Sequence, residues 1–209
     1  MITIYHVPKS RSLRVVWLME EMGEDYRIEA VAFPVSDDFL KINRLGCVPA
    51  IVDDGPEGPI TMFESLAILQ YLTGRRLVAG VEAAKALTVG PLPDPAHYAE
   101  HLQFLHFGEA DLATPIGAIF RTSIMGGEEN ATTRDQLGQY AKRLDFLDAH
   151  LADGRPFVTG EAFTIADISI GYAFVLAEFM QLGHALSANV AAYWQRLQQR
   201  PGYQRAIAR

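Results

Sequence analysis

The sequence predicts an α+β N-terminal domain, built on a mixed four-stranded sheet with helices, followed by an all-α helical C-terminal domain. Three observations carry that expectation. Strand-like alternation stops near Phe63, a proline-rich stretch with Pro91, Pro93 and Pro95 interrupts the pattern, and apolar residues beyond it recur at helical spacing. The predicted boundaries are 1–78 for the first domain, 79–95 for a linker and 96–209 for the helical domain. Proline breaks helices and stiffens a connecting chain, which places the linker.

Ile2 to Val7 alternates and is rich in β-formers, so it reads as a strand. Pro8, Lys9 and Ser10 form a turn. From about Ser12, the positions of Leu13, Val16, Trp17 and Met19 suit an amphipathic helix that stops near Gly23. Tyr26 to Val31 is a second strand, and Asp37 to Asn43 a short helix. Ala50 to Asp53 and Ile60 to Phe63 are strands on either side of Asp54, Gly55 and Pro56, a spacing that suits a hairpin with an extended loop. Glu64 and Ser65 open a helix carrying Leu66, Ile68, Leu69 and Leu72. A helix between the first two strands implies a parallel pair, and the late hairpin an antiparallel edge. This order is thioredoxin-like. Ala96 to Thr122, Thr132 to Ala152, Ile165 to Leu182 and Ala188 to Gln199 read as helices, with Pro115 kinking or splitting the first. Trp17 and Trp194 read as packing residues.

Hydrophobic residues at 49% and charged residues at 21% describe a globular chain rather than a disordered one. A net charge of -7 argues against nucleic acid or an anionic membrane as the main partner. No apolar run reaches the roughly 18 residues that span a bilayer. The first residues lack a basic stretch ahead of an apolar one, so a cytoplasmic protein is expected. The single cysteine, Cys47, excludes an internal disulfide and a cysteine-rich metal site. His101 and His106 lack companions at zinc spacing, so no metal is expected.

Three local features suggest chemistry. Gly46-Cys47-Val48-Pro49-Ala50 is a tight segment immediately before a strand, where proline marks a special backbone shape, a cis bond included. A cis bond there would turn the Val48 amide and carbonyl outward, to pair with a peptide ligand as an added strand does. Phe63-Glu64-Ser65 opens a helix, where Ser65 can offer a hydroxyl and an amide to a carboxylate and Glu64 can pair with an ammonium group. Ser10-Arg11-Ser12-Leu13-Arg14 lies where a strand meets a helix N-terminus, a position that stabilises a thiolate. Taken singly, each also reads as an ordinary loop, cap or turn.

In this order and spacing the three features resemble the glutathione-binding half of cytosolic glutathione transferases. Asn43-Arg44-Leu45-Gly46-Cys47-Val48-Pro49 and Phe63-Glu64-Ser65-Leu66-Ala67-Ile68 carry the likeness in the first domain. Gly160-Glu161-Ala162-Phe163-Thr164-Ile165-Ala166-Asp167 resembles the family's helix-capping motif in the second. That last segment also has capping-box spacing of its own, Thr164 to Asp167. The resemblance implies glutathione as cosubstrate, a cis Pro49, backbone contacts from Val48 to its cysteinyl part with Cys47 bordering the ligand, and Glu64 with Ser65 at the γ-glutamyl end. It also implies a homodimer with the site in a cleft between the domains. Two residues depart from the family pattern. Arg44 stands where proline is frequent, and Cys47 where lysine is common, which removes a partner for the glycyl carboxylate that Arg44 or Lys41 would have to replace.

Three hydroxyls compete to hold the glutathione thiol as thiolate. Ser10, four residues before Arg14, resembles serine-type bacterial members. Ser12 takes the role if the helix starts earlier, and is otherwise a cap or first-turn residue. Tyr5 lies where tyrosine-type members carry theirs. Cys47 invites mixed-disulfide chemistry, but thiol-transferring members carry cysteine at the turn where this chain has serines. A small hydrophobic electrophile would need an apolar wall, for which His101, Phe104, Phe107, Gly108 and Asp111 on the first long helix are the candidates. A core or dimer face is the alternative for that stripe. The function expected is conjugation of glutathione to the electrophile. Its rivals are glutathione-dependent peroxide reduction or isomerisation in the same site, and a non-catalytic binding protein with this fold.

Overall fold

The computed structural model describes residues 1–124, 130–182 and 186–209. They form two compact units, Met1–Thr88 with Arg200–Arg209, and Val89–Gln199. The first unit begins β1 (Ile2–His6), α1 (Leu13–Met22), β2 (Tyr26–Ala30), α2 (Asp37–Ile42), β3 (Ala50–Gly55) and β4 (Gly58–Phe63). Two helices follow, α3 (Ser65–Val78) and the short α4 (Glu82–Ala86). The sheet runs β2-β1-β3-β4, with β1 parallel to β2 and both β1–β3 and β3–β4 antiparallel. This is the mixed four-stranded sheet expected from a helix crossover followed by a hairpin. Ile2, Thr3 and Ile4 are all buried, so both faces of β1 are covered.

The hairpin is tighter than the sequence spacing suggests. Gly55 pairs with Gly58, which leaves only Pro56 and Glu57 as the loop, and the strands extend into Asp54 and Pro59. Helix α1 ends at Gly23, whose φ of 67° provides the left-handed cap and whose amide bonds the Met19 carbonyl. Nine of its ten residues are buried, and the helix needs a cover that strand and helix signals near it do not provide. That cover is α10 (Pro201–Ile207), a short helix absent from the sequence expectation. Arg200 makes paired bonds of 2.9 and 2.8 Å to the Glu21 carboxylate, Arg205 reaches Glu20 at 2.6 Å, and Tyr203 meets Trp17 edge-on at 4.9 Å. A Cβ on Gly202 would lie 2.5 Å from the Glu21 carboxyl carbon, so a larger residue there would displace the carboxylate that Arg200 holds.

The second unit is helical throughout: α5 (Pro95–Phe107), a π-helical segment (Gly108–Ala113), α6 (Thr114–Ile124), α7 (Ala131–Leu151), α8 (Ile165–Phe179) and α9 (Ala188–Gln198). Asp94 caps α5, accepting from the Ala96 and His97 amides at 3.0 Å. The long helix is split as expected, but the break starts at Gly108, seven residues before Pro115. A Cβ at Gly108 would fall 2.5 Å from Ser169 Oγ and 2.6 Å from the Ser169 carbonyl carbon. Close passage of α8 therefore selects the glycine, while Pro115 sits in the first turn of α6, where its missing N–H is harmless. Trp17 and Trp194 are both buried packing residues.

The capping box at α8 is formed. Thr164 accepts from the Ala166 amide at 3.3 Å, and Asp167 accepts from the Thr164 amide at 2.8 Å. Asp167 also takes the Val158 amide at 2.9 Å and the Tyr193 hydroxyl at 2.8 Å, so one buried carboxylate joins the preceding loop, α8 and α9. Asp167→Ala should lower stability by about 3 kcal/mol, because three buried donors lose their acceptor together. Urea unfolding checks this, and a loss near zero would remove the carboxylate from the account of the unit's stability.

His101 is 2% exposed, and burial, with His97 adding repulsion, pushes its pKa from 6.5 down to about 4. The unfolded chain therefore takes up this proton first. Nothing is lost above pH 6.5, and stability falls as pH drops from 6.5 towards 4, by up to about 3 kcal/mol. Comparing unfolding at pH 7 and 4.5 should show a smaller acid loss in His101→Leu than in the unmodified chain.

Candidate functional site

Strand register gathers the three sequence features. Tyr5 pairs with Ala50, and Ala50 pairs with Phe63. The penultimate residue of β1, the first of β3 and the last of β4 therefore lie in one row across the sheet. Beyond that row come the turn into α1, the Cys47–Pro49 segment and Glu64–Ser65.

At the middle position, Val48–Pro49 is a cis peptide. Among the described residues, neither the amide nor the carbonyl of Val48 is paired. The preceding loop is braced by Asn43, whose side-chain amide donates to the Cys47 carbonyl at 2.8 Å and whose side-chain oxygen accepts from the Leu45 amide at 3.1 Å. Cys47 is exposed, with its thiol 3.3 Å from the Leu45 carbonyl. Of the two cations considered for the glycyl carboxylate, Lys41 is paired with Asp38 at 2.7 Å, and Arg44 is exposed.

At the helix start the structure corrects the sequence reading. Helix α3 begins at Ser65, which is 5% exposed rather than open, and its hydroxyl accepts from Arg14 Nη1 at 3.1 Å. Arg14 has no exposed surface. A buried guanidinium thus backs the N-terminus of α3 and adds its positive charge to the helix dipole. Glu64 precedes the helix at φ 72°, in the left-handed region that non-glycine residues occupy at a cost of order 1–3 kcal/mol. Its side chain is exposed.

In the turn between β1 and α1 the three hydroxyl candidates separate. Ser12 is not a side-chain cap, because its backbone is already helical and it makes no capping bond. It is wholly buried, accepts from the Val7 amide at 3.2 Å and lies 2.8 Å from His6 Nδ1. Ser10 is half-buried, and its hydroxyl lies 2.7 Å from Ser12 Oγ. Tyr5 points to the sheet face opposite His6, since successive side chains alternate. There its ring meets that of Phe39 of α2 at 5.4 Å, tilted by 43°, and it lines a pocket with Glu29, Val31 and Ile42. His6 was not singled out by the sequence reading. The available signal was a histidine at an inward strand position, six residues before Ser12.

The five helical residues named for an electrophile also part company. Phe104 is buried among Phe107, Phe146 and His150, the His150 ring 4.2 Å away, and Gly108 is covered by α8. Both are core, which leaves them no surface for a ligand, and His101 is equally buried. Phe107 and Asp111 are half-exposed and line a groove within the helical unit with Lys142 and Phe146, where Arg143 reaches Asp111 at 3.3 Å. Among the described residues, no three His, Cys, Asp or Glu side chains are grouped to hold a metal, and no helix is long and apolar enough to cross a membrane.

Comparison with known proteins gives matches over both units. Residues 1–74 match the family model for the glutathione S-transferase N-terminal domain, and residues 129–209 that for the C-terminal domain. The chain is 28% identical to glutathione S-transferase 3 of Schizosaccharomyces pombe, covering 96% of this chain and 84% of that one. It is also 28% identical to glutathione S-transferase 3 of Zea mays, at 98% and 92% coverage. Among solved structures, a glutathione transferase family member from Pseudomonas fluorescens with two glutathione bound superposes with a TM-score of 0.84 at 25% identity, covering 99% of this chain and 92% of that one. A glutathione transferase from Pseudomonas putida with glutathione disulfide bound gives 0.83 at 26% identity, with 99% and 90% coverage.

The geometry of the two serines predicts different losses. Ser12→Ala should lower stability by about 2 kcal/mol, since the Val7 amide and the His6 ring lose a buried partner, and Ser10→Ala by less than about 1 kcal/mol. Urea unfolding of both variants measures the difference, and equal losses would contradict the division of roles.

Proposed function

The chain belongs to the glutathione S-transferase family and is a transferase, and from that premise we propose that it joins the glutathione thiolate to a small hydrophobic electrophile. The observation that carries this reading is the row Tyr5–Ala50–Phe63, which brings the serine turn, Val48–Pro49 and Glu64–Ser65 to one end of the sheet. On this reading Val48 pairs with the cysteinyl backbone of glutathione as an added strand would. Ser65, at the start of α3 and bonded to Arg14, receives the γ-glutamyl carboxylate, and exposed Glu64 faces its ammonium group. The binding of glutathione by the Pseudomonas fluorescens relative is consistent with that assignment.

Ser10 is the hydroxyl proposed to activate the thiol. A free thiol has a pKa near 8.5, and a donated hydrogen bond stabilises the thiolate and lowers it. Ser12 is buried and fully engaged, and Tyr5 lies against α2, whereas Ser10 keeps exposed surface. The thiol proton leaves to water, and the thiolate forms a C–S bond to the electrophilic carbon as a leaving group departs with its electron pair or, at an activated double bond, as the π pair moves to the neighbouring atom and takes a proton from water; no further cofactor enters. Phe107 and Asp111 are the helical candidates that keep surface for the second substrate. The cytoplasmic location and the homodimer belong to the same reading.

Ser10→Ala should raise the pKa of bound glutathione and lower kcat about 10- to 100-fold, with little change in glutathione affinity, as expected for a lost hydrogen bond to a charged sulfur. Thiolate absorbance of the complex against pH, together with turnover on a panel of electrophiles, tests this. Binding with an ordinary thiol pKa and no turnover would favour a non-catalytic binding protein.

A further inference from the structure

His6 is a histidine in the first unit that the reading above leaves without a task. It is 2% exposed, and burial lowers its pKa, so the ring is neutral and its single N–H can sit on either nitrogen. Among the described residues, Nε2 has no hydrogen-bond partner, whereas Nδ1 lies 2.8 Å from Ser12 Oγ. Buried N–H groups are left unpaired more rarely than buried acceptors. The proton therefore belongs on Nδ1, where an acceptor waits.

That choice has consequences for the hydroxyls. A serine hydroxyl has one proton to give and two lone pairs. Ser12 Oγ receives the Val7 amide at 3.2 Å and, with the proton on Nδ1, the His6 ring as well. Both lone pairs are then filled, so Ser10 cannot donate to it. The Ser12 proton must point outward, either to Ser10 Oγ at 2.7 Å or to the Val7 carbonyl at 3.2 Å, and the shorter contact is with Ser10. Ser10 Oγ also accepts from the Ser12 amide at 3.3 Å. Its own lone pairs are thereby occupied, and its single proton has to find an acceptor outside the turn. With the proton on Nε2 the order reverses: Ser12 donates to His6, and Ser10 is free to donate inward to Ser12.

We propose that His6 is a positioning residue whose Nδ1–H sets a one-way relay, His6 to Ser12 to Ser10, so that Ser10 presents its hydroxyl proton to the bound thiolate. This rests on the reading of Ser10 as the thiol activator. His6 touches neither ligand nor reacting atoms; it acts by removing the orientation in which Ser10 is turned inward. A thiolate, which accepts and cannot donate, is the ligand such a serine suits.

The test compares the unmodified protein with His6→Leu, His6→Asn and Ser10→Ala, each saturated with glutathione and titrated by thiolate absorbance. His6→Leu should raise the bound thiol pKa, so that the thiolate fraction at neutral pH falls about five- to tenfold, with glutathione affinity near that of the unmodified protein. His6→Asn, whose side-chain N–H takes the place of Nδ1–H, should recover most of the loss, which a merely space-filling role would not produce. In the unmodified protein, nitrogen NMR of labelled histidine should find the His6 proton on Nδ1. A proton on Nε2 overturns the relay, whatever the variants do. So does a folded His6→Leu with an unchanged thiol pKa while Ser10→Ala raises it. If Ser10→Ala leaves the thiol pKa unchanged, the Ser10 assignment fails and the relay falls with it, a result distinct from failure of the relay alone.

Discussion

The constraint on which the rest depends is the position of β3 between β1 and β4. Because β3 runs antiparallel to both, β1 and β4 run the same way and end on the same side. Every loop proposed to touch glutathione leaves the sheet at that end. The register is held by apolar side chains: Ile4 opposes Ile51, and Ile51 opposes Met62. Ile4 and Ile51 have no exposed surface. A slip of one residue between β1 and β3 would turn Ile51 to the opposite face from Ile4, and would move Ala50, with Val48–Pro49 behind it, out of the row with Tyr5 and Phe63. The pattern that buries the core therefore also places the chemistry.

Around α1 the structure spends polar groups where an ordinary core would be apolar. Arg14 and Ser12 are wholly buried beside Leu13, Val15 and Val16, and His6 lies under the same turn. Burying a guanidinium costs several kcal/mol unless it is well partnered, and replacing such groups by apolar ones is often neutral or stabilising. Stability alone does not account for Arg14. Its bond to Ser65, 51 residues away in sequence, ties the start of α1 to the start of α3, the two helix ends that face the proposed ligand. The polar contacts at the other end of α1 differ in kind. Glu21 holds Arg200, just before α10, and Glu20 holds Arg205 within it, and those pairs fasten residues 200–209 to α1 within the first unit.

Much of this was legible in sequence, for local reasons. The Gly23 stop, the Thr164–Asp167 box and the order of strands and helices each depend on residues a few positions apart. The association of Val48–Pro49 with Glu64–Ser65 was readable as a family resemblance. What sequence could not show were partnerships across distance. Ser65 looked like an open hydroxyl because Arg14 is remote, and the role of Ser12 stayed open because its partners, His6 at the end of β1 and Val7 just after it, follow no helical or capping spacing. The widening at Gly108 depends on Ser169 in another helix. The same passage of α8 turned Gly108 from a cleft candidate into core. Helix α10 is not legible in sequence because seven residues give too little periodicity, and its anchors, Glu20 and Glu21, are far away in the chain.

The two ends of the proposed tripeptide site are unequally built, and the inequality bears on how it would grip its ligand. The γ-glutamyl end has a helix start, a buried arginine behind Ser65 and an exposed carboxylate. The glycyl end has Cys47, which cannot supply a positive charge to a carboxylate, where the resemblance leads one to expect lysine. An exposed ion pair contributes little, at most about 1 kcal/mol, and salt screens it further. Charge held against a buried, oriented group is screened much less. Losing the lysine therefore removes a weak contact, while the strong one stays with Ser65 and Arg14. Affinity on this reading depends mainly on the amino-acid head of the ligand and on backbone pairing at Val48. Peptides altered at their glycyl end would be tolerated more readily than those altered at the γ-glutamyl end.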